Sequence, residues 1–595
     1  MTLLQLCPPF LRRGNKKRKS DSKSANGLTA SSAATAATAS RPSTSTSASE
    51  SVEPTYSPSS HDRLVVRKPV EEEMQGKMSS AGGKLVRLPK SEFFDIPSQV
   101  FPCAESLPAP GTLAFDGLAS RNDLRVLIVG TGFAGLATAI ACARQGFSVT
   151  ICERSAGISP HGDSILFGAN ASRIFYRWGV GPDMYRKSGN RGRWWVFKDD
   201  QGTVVEEVPI GDMVERHGAP ILQGRRSTFL GILGTEARML GVNVRLASEV
   251  VKYWDSKDEP AVILRGGETL RADVIIAADG VHSPARWLLT PHARKAADKL
   301  PSGYSIHRSA ITAERLKQDK RCSHLLDGTI RTWLGPDAHV CTYPLDNGNG
   351  LGFTYTHRDS GSFASLDWRD KKPIAGMLKE LRKWDPVLLA ALSHFPNSLE
   401  WTILDEKPEE EWISGGGRIC FVGDSVHPMM PTAFQGGSQA IEDGAAIALC
   451  LALAGGRPEG VPLALETYEA LRRPRVREAQ ALGKMQQDLW NQYLPSKSPR
   501  SRRPSRASVD LLATADHAGP RPSLRPLCFD LYDYDVEEYI IEHFETFARA
   551  IDLDFTLWAE WREDAARKAN LPLDARRTSF ADSIERMGLK IEGAG

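Results

Sequence analysis

The chain has 595 residues, 41% of them hydrophobic and 25% charged, a mix able to bury the cores of two or three domains. With 75 Lys+Arg against 72 Asp+Glu the formal charge is only +3, which argues against a nucleic-acid-binding surface spread over the whole molecule. Nine cysteines without a CxxC pair indicate neither a disulfide framework nor a metal site, and no apolar run approaches the roughly 20 residues that span a bilayer.

Residues 1–120 read as a disordered N-terminal extension. Ser, Thr, Ala and Pro dominate from Ser24 to Ser60 without periodicity, so too little apolar surface is available to offset the entropy of ordering. The basic run from Arg12 to Lys19 is open to three readings: a nuclear localisation signal, a transit peptide (the first 20 residues lack acids) or a solvated tail. The expected location is cytoplasmic.

Order begins at Leu124-Arg125-Val126-Leu127-Ile128-Val129, a buried-strand pattern that stops at Gly130. An Ala-rich helix to about Arg144 and a second strand from Ser148 to Cys152 complete a βαβ opening, whose right-handed crossover makes the strands parallel. A helix from Gly168 to Trp178 and a β-hairpin turning at Asp199-Asp200-Gln201-Gly202 follow. Further on come a helix from Ser227 to Leu240 and strands at Val242–Arg245, Ala261–Arg265 and Ala272–Ala278. Residues 301–402 mix strand-like pieces with one helix around Ala375 to Lys383 and read as a substrate-covering region. Another buried strand, Ile419 to Val422, precedes a long helix starting near Gln435. The apolar stretch Ala445 to Ala454 within it reads as buried helix. Ser, Pro and Arg then mark a disordered basic insertion over 495–527, and acid-rich helical sequence occupies 528–595.

Three motifs carry chemistry. Gly130-Thr131-Gly132-Phe133-Ala134-Gly135 sits between strand and helix, as a dinucleotide fingerprint must: Gly130 for a tight turn, Gly132 for backbone approach to a pyrophosphate, Gly135 for close packing. Glu153 ends the second strand 18 residues beyond Gly135, placed to accept hydrogen bonds from a ribose. Next, Ala272 to Gly280 is a buried strand that delivers Asp279 at its carboxyl end, followed by His282, Ser283 and Arg286. Last, Arg418 to Pro428 delivers Asp424, and Gly436-Gly437 opens a helix whose N-terminus favours negative charge. Glu442 and Asp443 read as a dipole-favourable first turn, and His427 as a hydrogen-bonded structural residue.

In this order the three motifs resemble the flavoprotein aromatic hydroxylases of the salicylate hydroxylase and p-hydroxybenzoate hydroxylase type, over about residues 124–490, with a weaker echo at Tyr532-Asp533-Tyr534-Asp535. The resemblance implies an α/β fold in which a Rossmann-like FAD-binding domain (121–300 with an inserted hairpin, then 403–494 with the long helix) is interleaved with a β-sheet substrate region (301–402), plus the helical C-terminal region. It implies FAD as cofactor, NAD(P)H as co-substrate, and transfer of one oxygen atom of O2 to a small aromatic substrate by way of a flavin C4a-hydroperoxide, the other atom leaving as water. An epoxidase, an oxidative decarboxylase and a non-catalytic FAD-binding protein are the alternatives. By the same resemblance Glu153 binds the adenosine ribose, Arg226 lies along FAD, Asp279 sits near the pyrophosphate, Asp424 holds the ribityl chain, and Gly162, Gly436 and Gly437 contact the flavin. Asp163 and Thr228 depart from the family pattern beside Gly162 and Arg226. On the substrate side the resemblance points to Arg308, whose charge would lower a phenol's pKa, and to Tyr343, which would hydrogen-bond the same oxygen. Neither a membrane span nor a metal is implied, and the oligomeric state is left open.

Overall fold

The computed structural model describes residues 124–158, 164–189, 194–288, 301–359, 371–404, 411–491, 493 and 523–552. The readings of the N-terminal extension, of Gly162 and of most of the 495–527 insertion lie outside the described residues.

β1 (Arg125–Val129) is buried beyond its first residue and leads into α1 (Phe133–Arg144), whose first ten residues are all buried. β2 (Ser148–Cys152) returns parallel to β1, with Val129 opposite Cys152. β3 (Ser164–Phe167), α2 (Ala169–Arg177) and α3 (Gly181–Lys187) come next, then the hairpin of β4 (Trp194–Asp199) and β5 (Val204–Pro209). After α4 (Met213–His217), β6 (Leu222–Arg225) pairs antiparallel with β3, and α5 (Arg226–Met239) leads to β7 (Asn243–Arg245) beside β2. β8 (Val250–Trp254), β9 (Ala261–Leu264) and β10 (Thr269–Arg271) form a small antiparallel sheet, and β11 (Val274–Ala277) re-enters the core beside β1.

β12 (Pro301–Thr312) begins the second large unit, followed by α6 (Glu314–Gln318), β13 (Ile330–Gly335), β14 (Ala338–Leu345), β15 (Gly350–Arg358) and β16 (Lys371–Pro373). Where the sequence suggests one helix near 375–383, the structure has two short ones, α7 (Ala375–Glu380) and α8 (Pro386–Leu392), because Asp385-Pro386 is a helix start: Pro occupies the first position and Asp385 caps it. β17 (Asn397–Leu404) completes this unit. The chain then adds β18 (Ile419–Phe421) beside β11, the buried α9 (Gly436–Leu453), the long α10 (Val461–Asn491) and α11 (Val536–Ile551). Among the described residues no single helix is long and apolar enough to cross a membrane.

Two sheets organise the chain. The five-stranded parallel sheet runs β18-β11-β1-β2-β7, and the eight-stranded sheet runs β16-β17-β12-β15-β14-β13-β4-β5. The hairpin inserted in the first part of the chain thus belongs to the eight-stranded sheet, where β4 pairs parallel with β13. Its turn is tied down by Asp385, whose backbone N–H donates to the Asp200 carbonyl (2.7 Å). The Asp385 carboxylate accepts from the Trp333 indole (2.8 Å) and from the Val387 N–H (2.9 Å), all in a buried setting. Asp385→Ala is expected to cost about 2 kcal/mol or more, since it removes a helix cap and orphans a buried indole N–H. A urea midpoint unchanged from wild type would show that these bonds contribute nothing.

The eight-stranded sheet has two unlike faces. Cys341, Tyr343 and Leu345 pack one face against Trp490 of α10 and against Phe529 and Tyr532. Trp333, Val340, Leu351 and Phe353 pack the other against Met377, Leu381 and Leu388 from α7 and α8. The C-terminal helix α11 docks on α9 and α10 through a stripe at helical spacing, Val536, Ile540, Phe544 and Ala548. Asp535 caps it and pairs with Arg177, which fastens this segment to α2.

Candidate functional site

Four neighbouring parallel strands end side by side in the order β18, β11, β1, β2, and the residues just beyond them are Asp424, Asp279, Gly130 and Glu153. Strands lie about 4.8 Å apart, so this row spans roughly 14 Å along the carboxyl edge of the sheet, where open α/β sheets bind ligands. Topology alone therefore brings together residues that stand up to 294 positions apart in the sequence.

The three fingerprint glycines have different surroundings. Gly130 has φ +104°, and a Cβ there would lie 2.5 Å from the Ala278 carbonyl oxygen. A Cβ at Gly135 would lie 1.9 Å from the Gly130 carbonyl oxygen, so helix α1 packs on the strand end with no room for a methyl. A Cβ at Gly132, by contrast, would meet nothing within 4 Å. The backbone is bare at the one glycine that faces open space, as a bound pyrophosphate requires. Arg226 begins α5 with its guanidinium 5.1 Å over the Phe133 ring, beside this opening.

Glu153 accepts at Oε2 from Thr131 N (3.0 Å) and Oγ1 (2.8 Å), and at Oε1 from Ser155 N (2.9 Å). Burial opposes its ionisation, but these hydrogen bonds outweigh burial and hold the carboxyl below its ordinary value. It is a fixed anion beside the glycine loop with lone pairs left over. Thr131, which aims it, was not singled out in the sequence, although a hydroxyl inside the glycine loop is a visible signal.

Asp279 accepts at Oδ2 from the Tyr253 hydroxyl (2.9 Å), while Oδ1 is buried with no hydrogen-bond partner among the described residues. Burial raises this carboxyl above its ordinary value, tempered by Ser283, Tyr253 and Arg286. An acceptor buried without a donor is a place where a ligand hydroxyl or N–H would be welcome. Asp424 is exposed on the turn after β18. Arg286 pins that turn from below, donating to the carbonyls of Asp424 (2.7 Å) and Ser425 (2.6 Å).

Behind the turn lies a cluster of buried charge. Asp443 accepts from Gly423 N (2.9 Å), His427 Nε2 (2.6 Å) and Arg472 Nε (3.0 Å), and Arg472 Nη1 also reaches Glu442 (2.5 Å). Glu442, Asp443 and Arg472 are all 0% exposed. This corrects the expectation that Glu442 and Asp443 belong to a first turn: α9 begins at Gly436 and has no acidic residue there, so both lie nearly two turns in. His427 is the buried, hydrogen-bonded residue expected. Burial alone would lift the Asp443 carboxyl, but His427 and Arg472 hold it below its ordinary value. Arg472 was missed. Its signal is an arginine in the apolar stripe Leu465, Tyr468, Arg472, Val476, Ala479, where only a buried carboxylate makes the charge tolerable.

β3 lies between α9 and the eight-stranded sheet. Gly437, in the first turn of α9, lies where a Cβ would be 2.7 Å from Ile165. Arg308 of β12 donates from Nη2 to the carbonyl of Ser164 (2.9 Å). Arg308 is half-buried rather than buried, and Tyr343 is 5% exposed with its ring lying over Gly352. Arg308 is opposite Thr354 and Ala310 opposite Gly352, which in turn is opposite Tyr343. Paired residues share a face, so Arg308 and Tyr343 border a floor of small side chains. The first turn of α9, β3 and this floor thus converge.

Comparison with known proteins gives the family. Residues 123–325 and 409–482 match the family described as FAD binding domain. The flavin-dependent monooxygenase pboD of Aspergillus ustus is 32% identical over 401 residues, 62% of this chain and 80% of that protein. Asperlicin C monooxygenase of Petromyces alliaceus is 32% identical over 371 residues, 60% and 78% of the two chains. The crystal structure of FqzB superposes with a TM-score of 0.58 at 29% identity, covering 72% of this chain and 95% of that one. A salicylate hydroxylase substrate complex shares the fold with a TM-score of 0.56 at 21% identity, covering 72% and 98%. Strand-end row, bare glycine and relatives agree, and the chain belongs to the FAD-dependent monooxygenases.

Proposed function

We propose that this enzyme hydroxylates a small phenol- or salicylate-like aromatic compound, using NAD(P)H and O2. The observation that carries this reading is the convergence at β3, which touches both a helix N-terminus suited to a flavin edge and Arg308, at the border of a floor that Tyr343 also borders. In this reading Gly130, Gly132, Gly135, Glu153, Arg226, Asp279 and Asp424 hold the dinucleotide, and Gly436 and Gly437 lie at the isoalloxazine edge. Bound there, FAD supplies hydride acceptance and oxygen activation. The protein's own part is positioning and charge. Arg308, held in place by the Ser164 carbonyl, favours the phenolate form, in which the ring is most electron-rich. The Tyr343 hydroxyl hydrogen-bonds the same oxygen, and the packed sheet behind both keeps water from the ring.

NADH or NADPH consumption by the FAD-loaded enzyme is expected to accelerate with some members of a panel of phenols and salicylates. A rate indifferent to every member overturns the aromatic reading. Arg308→Met is expected to lower kcat/KM for the best substrate by about 100-fold, the scale of losing one well-placed charge in a water-poor site, while FAD content stays at one per chain. An unaltered kcat/KM removes Arg308 from the substrate site.

A further inference from the structure

The face of the eight-stranded sheet opposite Arg308 carries two imidazoles and a carboxylate on three adjacent strands. His307 of β12 is opposite Glu400 of β17 and, through Ser305, diagonal to His357 of β15. One potential ligand atom from each lies within 4.8 Å of the other two. At His357 the hydrogen bond decides which nitrogen carries the lone pair. His357 Nδ1 is 3.0 Å from the Arg358 carbonyl, which can only accept, so Nδ1 bears the proton and Nε2 is an acceptor. That Nε2 is buried with no partner among the described residues. His307 Nδ1 is 3.0 Å from Ser398 Oγ, and its Nε2 lies 3.6 Å from Glu400 Oε1, beyond hydrogen-bonding distance. Lys372 pairs with the other oxygen of Glu400, at 3.2 Å. Three potential ligand atoms therefore converge, and each imidazole has a hydrogen-bond partner at its far nitrogen, as metal-ligating histidines do.

From this arrangement we propose that His307, His357 and Glu400 form a binding site for a divalent transition-metal ion, zinc foremost. Two neutral imidazoles and one carboxylate suit zinc at bond lengths of about 2.0–2.2 Å, with a fourth position left to water. The ion clamps β15, β12 and β17 together. Since β12 presents Arg308 on its other face, the clamp stiffens the floor of the substrate site from behind. The cysteine pattern gave no hint of this site, because its ligands are 43 to 93 positions apart in sequence and meet only through strand pairing.

The test is titration of the FAD-loaded, tag-free full chain with zinc chloride, followed by calorimetry. One zinc per chain is expected, with affinity at least about tenfold weaker in His357→Gln and in Glu400→Gln. Asp319→Asn serves as control: Asp319 is near Cys322 and His394 but already paired with Arg321 and His394, so binding is expected to be unchanged. X-ray absorption at the zinc edge of the unaltered protein needs no variant and is expected to show imidazole nitrogen and oxygen scatterers. Absence of one-to-one binding, wild-type affinity in both ligand variants, or sulfur scatterers each overturns the site.

Discussion

Gly132→Ala is expected to fold as well as the wild type and to lose FAD, whereas Gly135→Ala is expected to fail at folding itself. Both replacements add one methyl three residues apart in the same motif, so any difference comes from what the methyl meets. At Gly132 the backbone has φ −70° and a Cβ would find nothing within 4 Å. Apo stability is therefore expected to stay within about 0.5 kcal/mol of wild type. In the proposed binding mode the methyl stands where the dinucleotide approaches the backbone, and FAD affinity is expected to fall at least about 100-fold, roughly 2.7 kcal/mol of overpacking. At Gly135 the methyl would lie 1.9 Å from the Gly130 carbonyl oxygen and 3.0 Å from its carbon. Both are backbone atoms on a turn locked at φ +104°, so no rotamer change relieves the contact, and a loss of more than about 3 kcal/mol is expected. Urea unfolding of the apo proteins and flavin fluorescence titration separate the two effects. FAD binding of wild-type strength in Gly132→Ala would mean that the cofactor does not pass over this glycine.

What could be read from the sequence was local. The βαβ opening shows because strand, glycine turn and helix are contiguous, and the boundaries Ser148–Cys152 agree with the structure to the residue. The row Asp424, Asp279, Gly130, Glu153 was recognisable motif by motif, since each acid stands at or one residue beyond the end of a run of buried apolar residues. Its straight alignment came only with strand order, which periodicity does not encode. For the same reason the hairpin at 194–209 was visible as a hairpin while its partner, β13, was not: Trp195 pairs with Ile330, a distant residue with no marker in either strand. The helix at 375–383 was overextended because Lys379 to Trp384 keeps helical composition up to the capping Asp385. Buried charge was the least legible feature. Glu442 and Asp443 read as solvent-tolerant acids at a helix start, and only their packing against α10 shows Arg472 opposite them.

Arg472→Met is expected to destabilise the enzyme by about 3–5 kcal/mol, more than the loss of any exposed ion pair here. Two carboxylates, both 0% exposed, would keep Arg475, Asn170, His427 and the Gly423 N–H as partners but lose their shared guanidinium, and a buried charge left undercompensated is the costly case. The penalty should depend on pH in a defined direction. Asp443 is held below its ordinary value in the wild type, so its ionised form adds stability above its unfolded pKa of about 4, and that stability is lost as pH falls through the lower folded value. In Arg472→Met burial prevails and the folded carboxyl rises, so acid no longer costs the variant what it costs the wild type. Urea midpoints taken from pH 7 down to about 4 are therefore expected to converge, and a gap constant over that range would exclude Asp443 as its source. The effect should also reach the cofactor. Asp443 fixes the Gly423 N–H and His427, and these bracket Asp424 on the turn that closes the strand-end row. Adding Glu442→Gln and Asp443→Asn to Arg472→Met should recover part of the stability, because neutral amides are cheaper to bury than unpaired anions, yet it should leave FAD bound less tightly than in the wild type. Recovery of both together would mean that the cluster serves packing alone, and recovery of stability without affinity that the buried charges set the position of the turn.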